Sequence, residues 1–236
     1  MKAVIQAGGK GTRLRPYTLV LPKPLVPVGG LPVIEILLRW LRRNGVDQGY
    51  VTLGYLGGLI RAVCRDGAQW NIPLEYVEEE IPLGTLGALS LLGPERLDST
   101  FLSLNGDIIC DLNLREMIAF HKRHGGPLTV ATARKDVHVD LGVMELDGHV
   151  VTNFREKPTK HYSVSMGIYC MEPEVLRYIP SKVAFGFDDL IYTLLERQIP
   201  IHAFLHEGMW MDIGRSEDYL RAQEVFEENQ AKILGG

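Results

Sequence analysis

The order of apolar and polar runs predicts an α/β protein, with a Rossmann-like, mainly parallel sheet flanked by helices and a smaller antiparallel section. Residues 3–5, 50–53 and 74–77 are short buried-strand runs, and residues 34–41 and 59–64 between them repeat at helical spacing. A βαβαβ order sets its strands parallel. From Leu128 the rhythm changes to closely spaced strands, LTVATAR, GVMEL, HVVTNFREKP and SVSMGIYCM, with Asp147-Gly148 as a hairpin signal, which adds the antiparallel part.

The first strand cannot continue past Ala7, because Gly8, Gly9, Lys10, Gly11 and Thr12 are small or polar. Glycines at 8, 9 and 11 remove Cβ atoms that would keep a ligand off the backbone, so the turn's amides can point at phosphate oxygens. Arg13, Arg15 and Lys23 follow with positive charge. The spacing matches neither the Walker pattern nor the dinucleotide pattern of Gly-x-Gly-x-x-Gly. A helix is expected from about Pro32, with Ile34, Leu37, Leu38 and Leu41 inward, Arg39, Arg42 and Arg43 solvated, and Gly45 as its stop.

Three carboxylates, Glu78, Glu79 and Glu80, end the third strand ahead of Gly84, Thr85 and Gly87. Run together they repel and favour an exposed loop, but Glu79 or Glu80 facing a pocket suits guanine, whose N1-H and N2-H₂ offer adjacent donors to a two-oxygen acceptor. Residues 101–104 form a fourth apolar run closing in Asn105-Gly106-Asp107. Ligands in open α/β sheets bind beyond the carboxyl ends of strands, so Asp107 shares an edge with the glycine turn. Residues 114–124 read as a helix on which His121 and His124, beside Lys122 and Arg123, belong to a solvated face. Asp188 and Asp189 supply capping charge to the following helix. Residues 200–205 form another strand, residues 216–230 an amphipathic helix, and the terminal Leu-Gly-Gly is expected to fray.

A chain of 236 residues that is 46% hydrophobic supports a single domain over 1–236. A net charge of -4 excludes the basic surface needed for nucleic acid. No run approaches the ~18 apolar residues of a membrane span. Cys64, Cys110 and Cys170 are odd in number and far apart, which indicates neither a disulfide framework nor a zinc site and fits a reducing cytoplasm.

Gly8-Gly9-Lys10-Gly11-Thr12-Arg13-Leu14, followed by Pro22-Lys23-Pro24, resembles the signature of the sugar-1-phosphate nucleotidyltransferases. Asn105-Gly106-Asp107, Glu156-Lys157-Pro158 and Trp210-Met211-Asp212-Ile213-Gly214 are similar to later motifs of the family in the same order. The likeness is nearest to the catalytic part of mannose-1-phosphate guanylyltransferases, without their β-helix extension. It implies the nucleotide-diphospho-sugar transferase fold, with residues 1–125 mainly binding nucleotide, 126–214 mainly binding sugar phosphate, and 215–236 a closing helix and tail. By the same resemblance Ala7, Gly8, Gly9, Gly11, Thr12, Arg13, Glu79, Gly84 and Thr85 hold a nucleoside triphosphate, GTP favoured. Gly142, Glu156, Lys157 and Ser165 hold the sugar-1-phosphate. Asp107 and Asp212 bind Mg²⁺, and Arg13, Lys23, Asp107 and Asp212 carry catalysis. Homo-oligomerisation is left open. Leu141 stands where the family has Tyr, Ser165-Met166 where it has Asn-Ala, and Gln6 where it has an apolar residue; the last is either a locally bonded amide or a neighbour of the base. The alternatives are a transferase for another nucleotide or for heptose-1-phosphate, and a non-catalytic nucleotide-sugar sensor.

Overall fold

The structure, a computed structural model, describes residues 1–235. Its centre is a seven-stranded sheet in the order Ile201–His206, Leu128–His138, Thr159–Met171, Phe101–Asn105, Lys2–Ala7, Gln48–Leu53, Leu74–Glu78. Every neighbouring pair is parallel except the two made by Thr159–Met171, which runs against both Leu128–His138 and Phe101–Asn105. The antiparallel part therefore shares the central sheet. The hairpin Val143–Asp147 with Val150–Arg155 is a separate two-stranded sheet on an arm made by the outer halves of the two long strands, and Ile108–Cys110 with Trp210–Asp212 and Pro27–Val28 with Leu31–Pro32 form two more.

Strands buried on both faces read as continuous apolar runs, and Lys2–Ala7 shows why. Ala3, Ile5 and Ala7 enter one core with the helices Val33–Arg43, Leu114–His124 and Ser216–Leu234, while Val4 enters a second core with Leu86, Leu89, Leu190 and Leu194. In Val33–Arg43 seven residues from Val33 to Leu41 are buried, each large aliphatic one contributing about 1.5–3 kcal/mol. Glu35 and Arg39 pair outside, one helical turn apart, at 2.9 Å. The helix Leu114–His124 starts where Asn113 accepts from the amides of Arg115 and Glu116, satisfying donors that a helix start leaves open. Asp189 Oδ2 accepts from the Gly186 amide at 2.7 Å, the capping role expected of that pair.

His121 is not on a solvated face. It is 1% exposed, with Nδ1 2.7 Å from Thr129 Oγ1 and Nε2 3.2 Å from Glu172 Oε1, because the helix turns this position toward the strand Leu128–His138. Its neighbours Lys122, Arg123 and His124 are exposed as expected. The three cysteines are free and buried. Of the terminal Leu-Gly-Gly, Leu234 closes the last helix and Gly236 lies outside the described residues. Among the described residues no helix is long and apolar enough to cross a membrane.

Candidate active site

From Lys2–Ala7 the chain adds strands on one side, Gln48–Leu53 and then Leu74–Glu78, before Phe101–Asn105 returns to pair on the other. That reversal opens a crevice at the carboxyl ends of the strands. A cavity of about 430 Å³ lies there, and Ala7, Gly8, Gly9, Gly11, Thr12, Arg13, Lys23, Glu79, Gly84, Thr85 and Asp107 all line it. Asp212 reaches its rim, next to the lining residue Gly214.

Two glycines in the turn serve different ends. Gly11 has φ +59, a left-handed conformation, and its carbonyl accepts from the buried Thr18 hydroxyl at 2.8 Å. Gly8 makes room for a side chain of the protein, since a methyl group there would lie 2.5 Å from Glu79 Oε1. The turn and the Glu79 carboxylate are thus in contact before any ligand arrives.

Lys23 follows the loop in a short turn, Lys23–Leu25, and its ammonium meets both acids: it contacts Asp107 Oδ2 and lies 3.4 Å from Asp212 Oδ1. The two acids come together through backbone pairing. Trp210–Asp212 runs antiparallel to Ile108–Cys110, with Asp212 opposite Ile108, and the Ile213 amide donates to the Asp107 carbonyl at 3.2 Å. Burial pulls the Lys23 pKa below the usual lysine range; the charge and hydrogen bond of Asp212 oppose this, Arg13 adds to it and Asp218 counters. A half-buried cation between two acids is a site whose charge balance depends on all its members.

The three adjacent glutamates part company. Glu78 turns out to Arg61 at 2.6 Å, Glu80 is exposed, and Glu79 Oε2 turns in to accept from the Leu83 amide at 2.9 Å. Burial raises the Glu79 pKa, and the Leu83 hydrogen bond acts against the rise. The loop above it is braced from behind: Leu86 and Gly87 amides donate to the Phe185 carbonyl at 3.0 Å, and the Phe187 amide donates to Thr85 Oγ1 at 2.9 Å.

The residues expected to hold sugar phosphate do not line this cavity. Gly142 and Glu156 are neighbours on the arm, where a methyl group on Gly142 would lie 3.3 Å from Glu156 Oε2. Lys157, with φ 42, stands 4.0 Å from Asp140. Ser165 lies nearer, at the bulge where Thr159–Met171 bends; its hydroxyl accepts from the Gly167 amide at 3.2 Å, and a methyl group on Gly167 would lie 2.5 Å from Nδ2 of the lining residue Asn105.

The family described as nucleotidyl transferase matches residues 2–229. The chain belongs to that family. Among curated proteins it is 35% identical to a mannose-1-phosphate guanyltransferase of Aspergillus oryzae, over 98% of this chain and 66% of the relative. It is also 35% identical to a UTP–glucose-1-phosphate uridylyltransferase of Synechocystis, over 94% and 62% respectively. The chain thus spans a little under two thirds of the length of these relatives. Among solved structures, HddC from Yersinia pseudotuberculosis complexed with GMP-PN is 26% identical with a TM-score of 0.76, covering 95% of this chain and 99% of that one.

In this member of the family the cavity floor was the part that sequence patterns missed. Thr52, Gln6 and Asn105 stand side by side in parallel register on three neighbouring strands, and all three line the cavity. Asn105 was within reach of the rule that places ligands at strand ends. Thr52 had no signal of its own, because only strand register puts it beside Gln6. Gln6 is the locally bonded amide of the two alternatives, since Nε2 donates to Ser103 Oγ at 2.8 Å; its side chain also lines the cavity, with Oε1 buried and without a hydrogen-bond partner among the described residues.

Proposed function

We propose that the protein joins a sugar-1-phosphate, mannose-1-phosphate or a related sugar, to a nucleoside triphosphate, GTP by preference, giving a nucleotide sugar and pyrophosphate. The observation that carries this is the convergence of Asp107 and Asp212 on Lys23 at the lip of a glycine-lined cavity. The names of the fungal relative and of the GMP-PN complex support the guanine lean.

In this reading an oxygen of the sugar phosphate attacks the α-phosphorus in line. The bond from that phosphorus to the oxygen bridging to the β-phosphate breaks, and its electrons leave with pyrophosphate. A phosphate monoester is already anionic at neutral pH, so no general base is required, and catalysis is positioning and charge neutralisation. Loop amides and Arg13 hold the departing phosphates, Lys23 offsets charge at the α-phosphate, and Lys157 and Glu156 orient the sugar phosphate from the arm. Asp107 and Asp212, two hard oxygen donors reaching one cationic position, fit Mg²⁺ completed by phosphate oxygens and water. When bound, that ion supplies charge neutralisation between the two polyanionic substrates.

Guanine is favoured by Glu79, a carboxylate turned into the pocket. A uridylyl reading is supported by the Synechocystis relative, but uracil offers a single N-H between two carbonyl oxygens, a poor partner for a two-oxygen acceptor. The deciding measurement is pyrophosphate release across four nucleoside triphosphates and a panel of sugar-1-phosphates, with and without Mg²⁺. Turnover highest with GTP is expected. Tight nucleotide-sugar binding with no turnover for any pair would overturn the assignment in favour of a sensor.

A further inference from the structure

The ladder that brings Asp212 to Asp107 has three residue pairs, Trp210 with Cys110, Met211 with Ile109 and Asp212 with Ile108. Two-stranded ladders this short are marginal by themselves, and a slip of one residue sends every side chain to the opposite face. Such a slip would turn Met211 or Ile213 toward Lys23 in place of a carboxylate. Something outside the ladder must hold its register.

At the end away from the acids stands His206, the last residue of the edge strand Ile201–His206. Its Nε2 lies 3.0 Å from Asp111 Oδ1 and 3.3 Å from the Met209 carbonyl. A carbonyl can only accept, so Nε2 carries the proton and donates to both. The Asp111 amide in turn donates to the Met209 carbonyl at 3.1 Å. Gly208 closes the corner so tightly that a methyl group there would lie 2.4 Å from Asp111 Oδ1 and 2.6 Å from the His206 ring. The His206 side chain is 11% exposed and that of Asp111 19%. One imidazole thus ties both strands of the ladder to the main sheet.

We propose that His206 and Asp111 are a positioning pair that fixes the ladder's register, and through it the placement of Asp212 against Asp107. The inference rests on the reading that those two acids act together at the phosphates. Neither member of the pair touches substrate; both act through Asp212. Outer partners that orient metal-binding carboxylates typically change metal affinity or activity by roughly 10- to 100-fold.

The test pairs turnover with Mn²⁺ binding to the GTP-loaded protein, measured by electron paramagnetic resonance of the free ion. His206→Ala and Asp111→Ala should each weaken Mn²⁺ binding and lower kcat by roughly 10-fold or more, with KM for GTP within about 3-fold by the same argument. The double variant should lose no more than either single one, as expected of two residues working as a unit. His206→Gln, whose amide nitrogen can stand in for Nε2, should recover most of the loss. Should an alanine variant fail to fold, Asp111→Leu, close in size but with no acceptor for the His206 Nε2–H, takes its place. The proposal is overturned by unchanged Mn²⁺ affinity, by additive losses, or by a His206→Gln no better than His206→Ala. Failure of the underlying reading has a different signature, in which Asp107→Asn and Asp212→Asn themselves leave Mn²⁺ affinity intact.

Discussion

Asp107 and Asp212 contact the same ammonium, that of Lys23, with Asp212 Oδ1 at 3.4 Å. One acid follows the fourth strand of the central sheet in chain order, and the other comes from a short strand beyond its last. Backbone pairing between Ile108–Cys110 and Trp210–Asp212 closes that distance, so the site forms only when the end of the sheet has folded back on its middle.

Asp107→Asn and Asp212→Asn should each lower kcat by roughly 10²- to 10³-fold, the cost of removing one electrostatic stabiliser of a developing charge. Asn keeps the shape and leaves Lys23 one carboxylate, so the circular dichroism spectrum should not change. Pyrophosphate release measured with and without a chelator checks both points. Near-parental turnover in Mg²⁺ by either variant would remove that acid from the mechanism.

Glu79→Gln should weaken selection of GTP over UTP by an amount set by a charged hydrogen bond, about 1.5–3 kcal/mol, on the order of 10- to 100-fold in kcat/KM. Burial raises the Glu79 pKa above the usual carboxylate range, so its ionised form is lost earlier than that of an ordinary glutamate as pH falls from neutrality. KM for GTP should therefore rise on acidification while KM for the sugar phosphate stays flat, and Glu79→Gln should abolish that rise. The sign for stability is opposite. A raised folded pKa means that the stabilising contribution is present below the unfolded value and lost above the folded one, so at pH 7 Glu79→Gln should slightly raise the melting temperature of the ligand-free protein.

Strand periodicity, the glycine turn and the carboxyl-end rule were enough to place the Gly8 to Arg13 loop and Asp107 on one edge, because each signal is local, and they left Glu79 and Glu80 as alternatives. What sequence could not supply is register. Thr52 and Asn105 join Gln6 through pairing across three strands, and His121 is buried through a contact with Thr129 on the next strand, both properties of tertiary neighbours. The convergence of Asp107 with Asp212 came from motif resemblance; neither residue carries any spacing signal for the other. Glu156 and Lys157 show the limit of such motifs, which name the residues without locating the arm that bears them.

Lys157→Ala should raise KM for the sugar-1-phosphate by about 10-fold or more, corresponding to one charge-assisted contact of about 1.5–3 kcal/mol, and leave KM for GTP within about 2-fold. The separation follows from geometry, since Lys157 stands on the arm and does not line the glycine-lined cavity. Initial rates with each substrate varied in turn give the two constants. An equal rise in both would place Lys157 at the triphosphate instead.

The buried His121, 3.2 Å from the partly exposed Glu172, makes stability depend on pH. Burial lowers the His121 pKa below the ordinary 6.5, with the charge and hydrogen bond of Glu172 opposing. Below pH 6.5 the unfolded chain takes up a proton that the folded protein resists, so stability is greatest above that value and falls as pH drops toward the lowered folded one. Urea unfolding at pH 7.5 and 5.5 should give a lower midpoint at the acid value. His121→Gln should cost about 1–3 kcal/mol at pH 7.5, because the Thr129 and Glu172 groups lose a well-placed partner. It should also flatten the difference between the two pH values, since the titrating group is gone. A parental slope retained in His121→Gln would assign the acid sensitivity to another group.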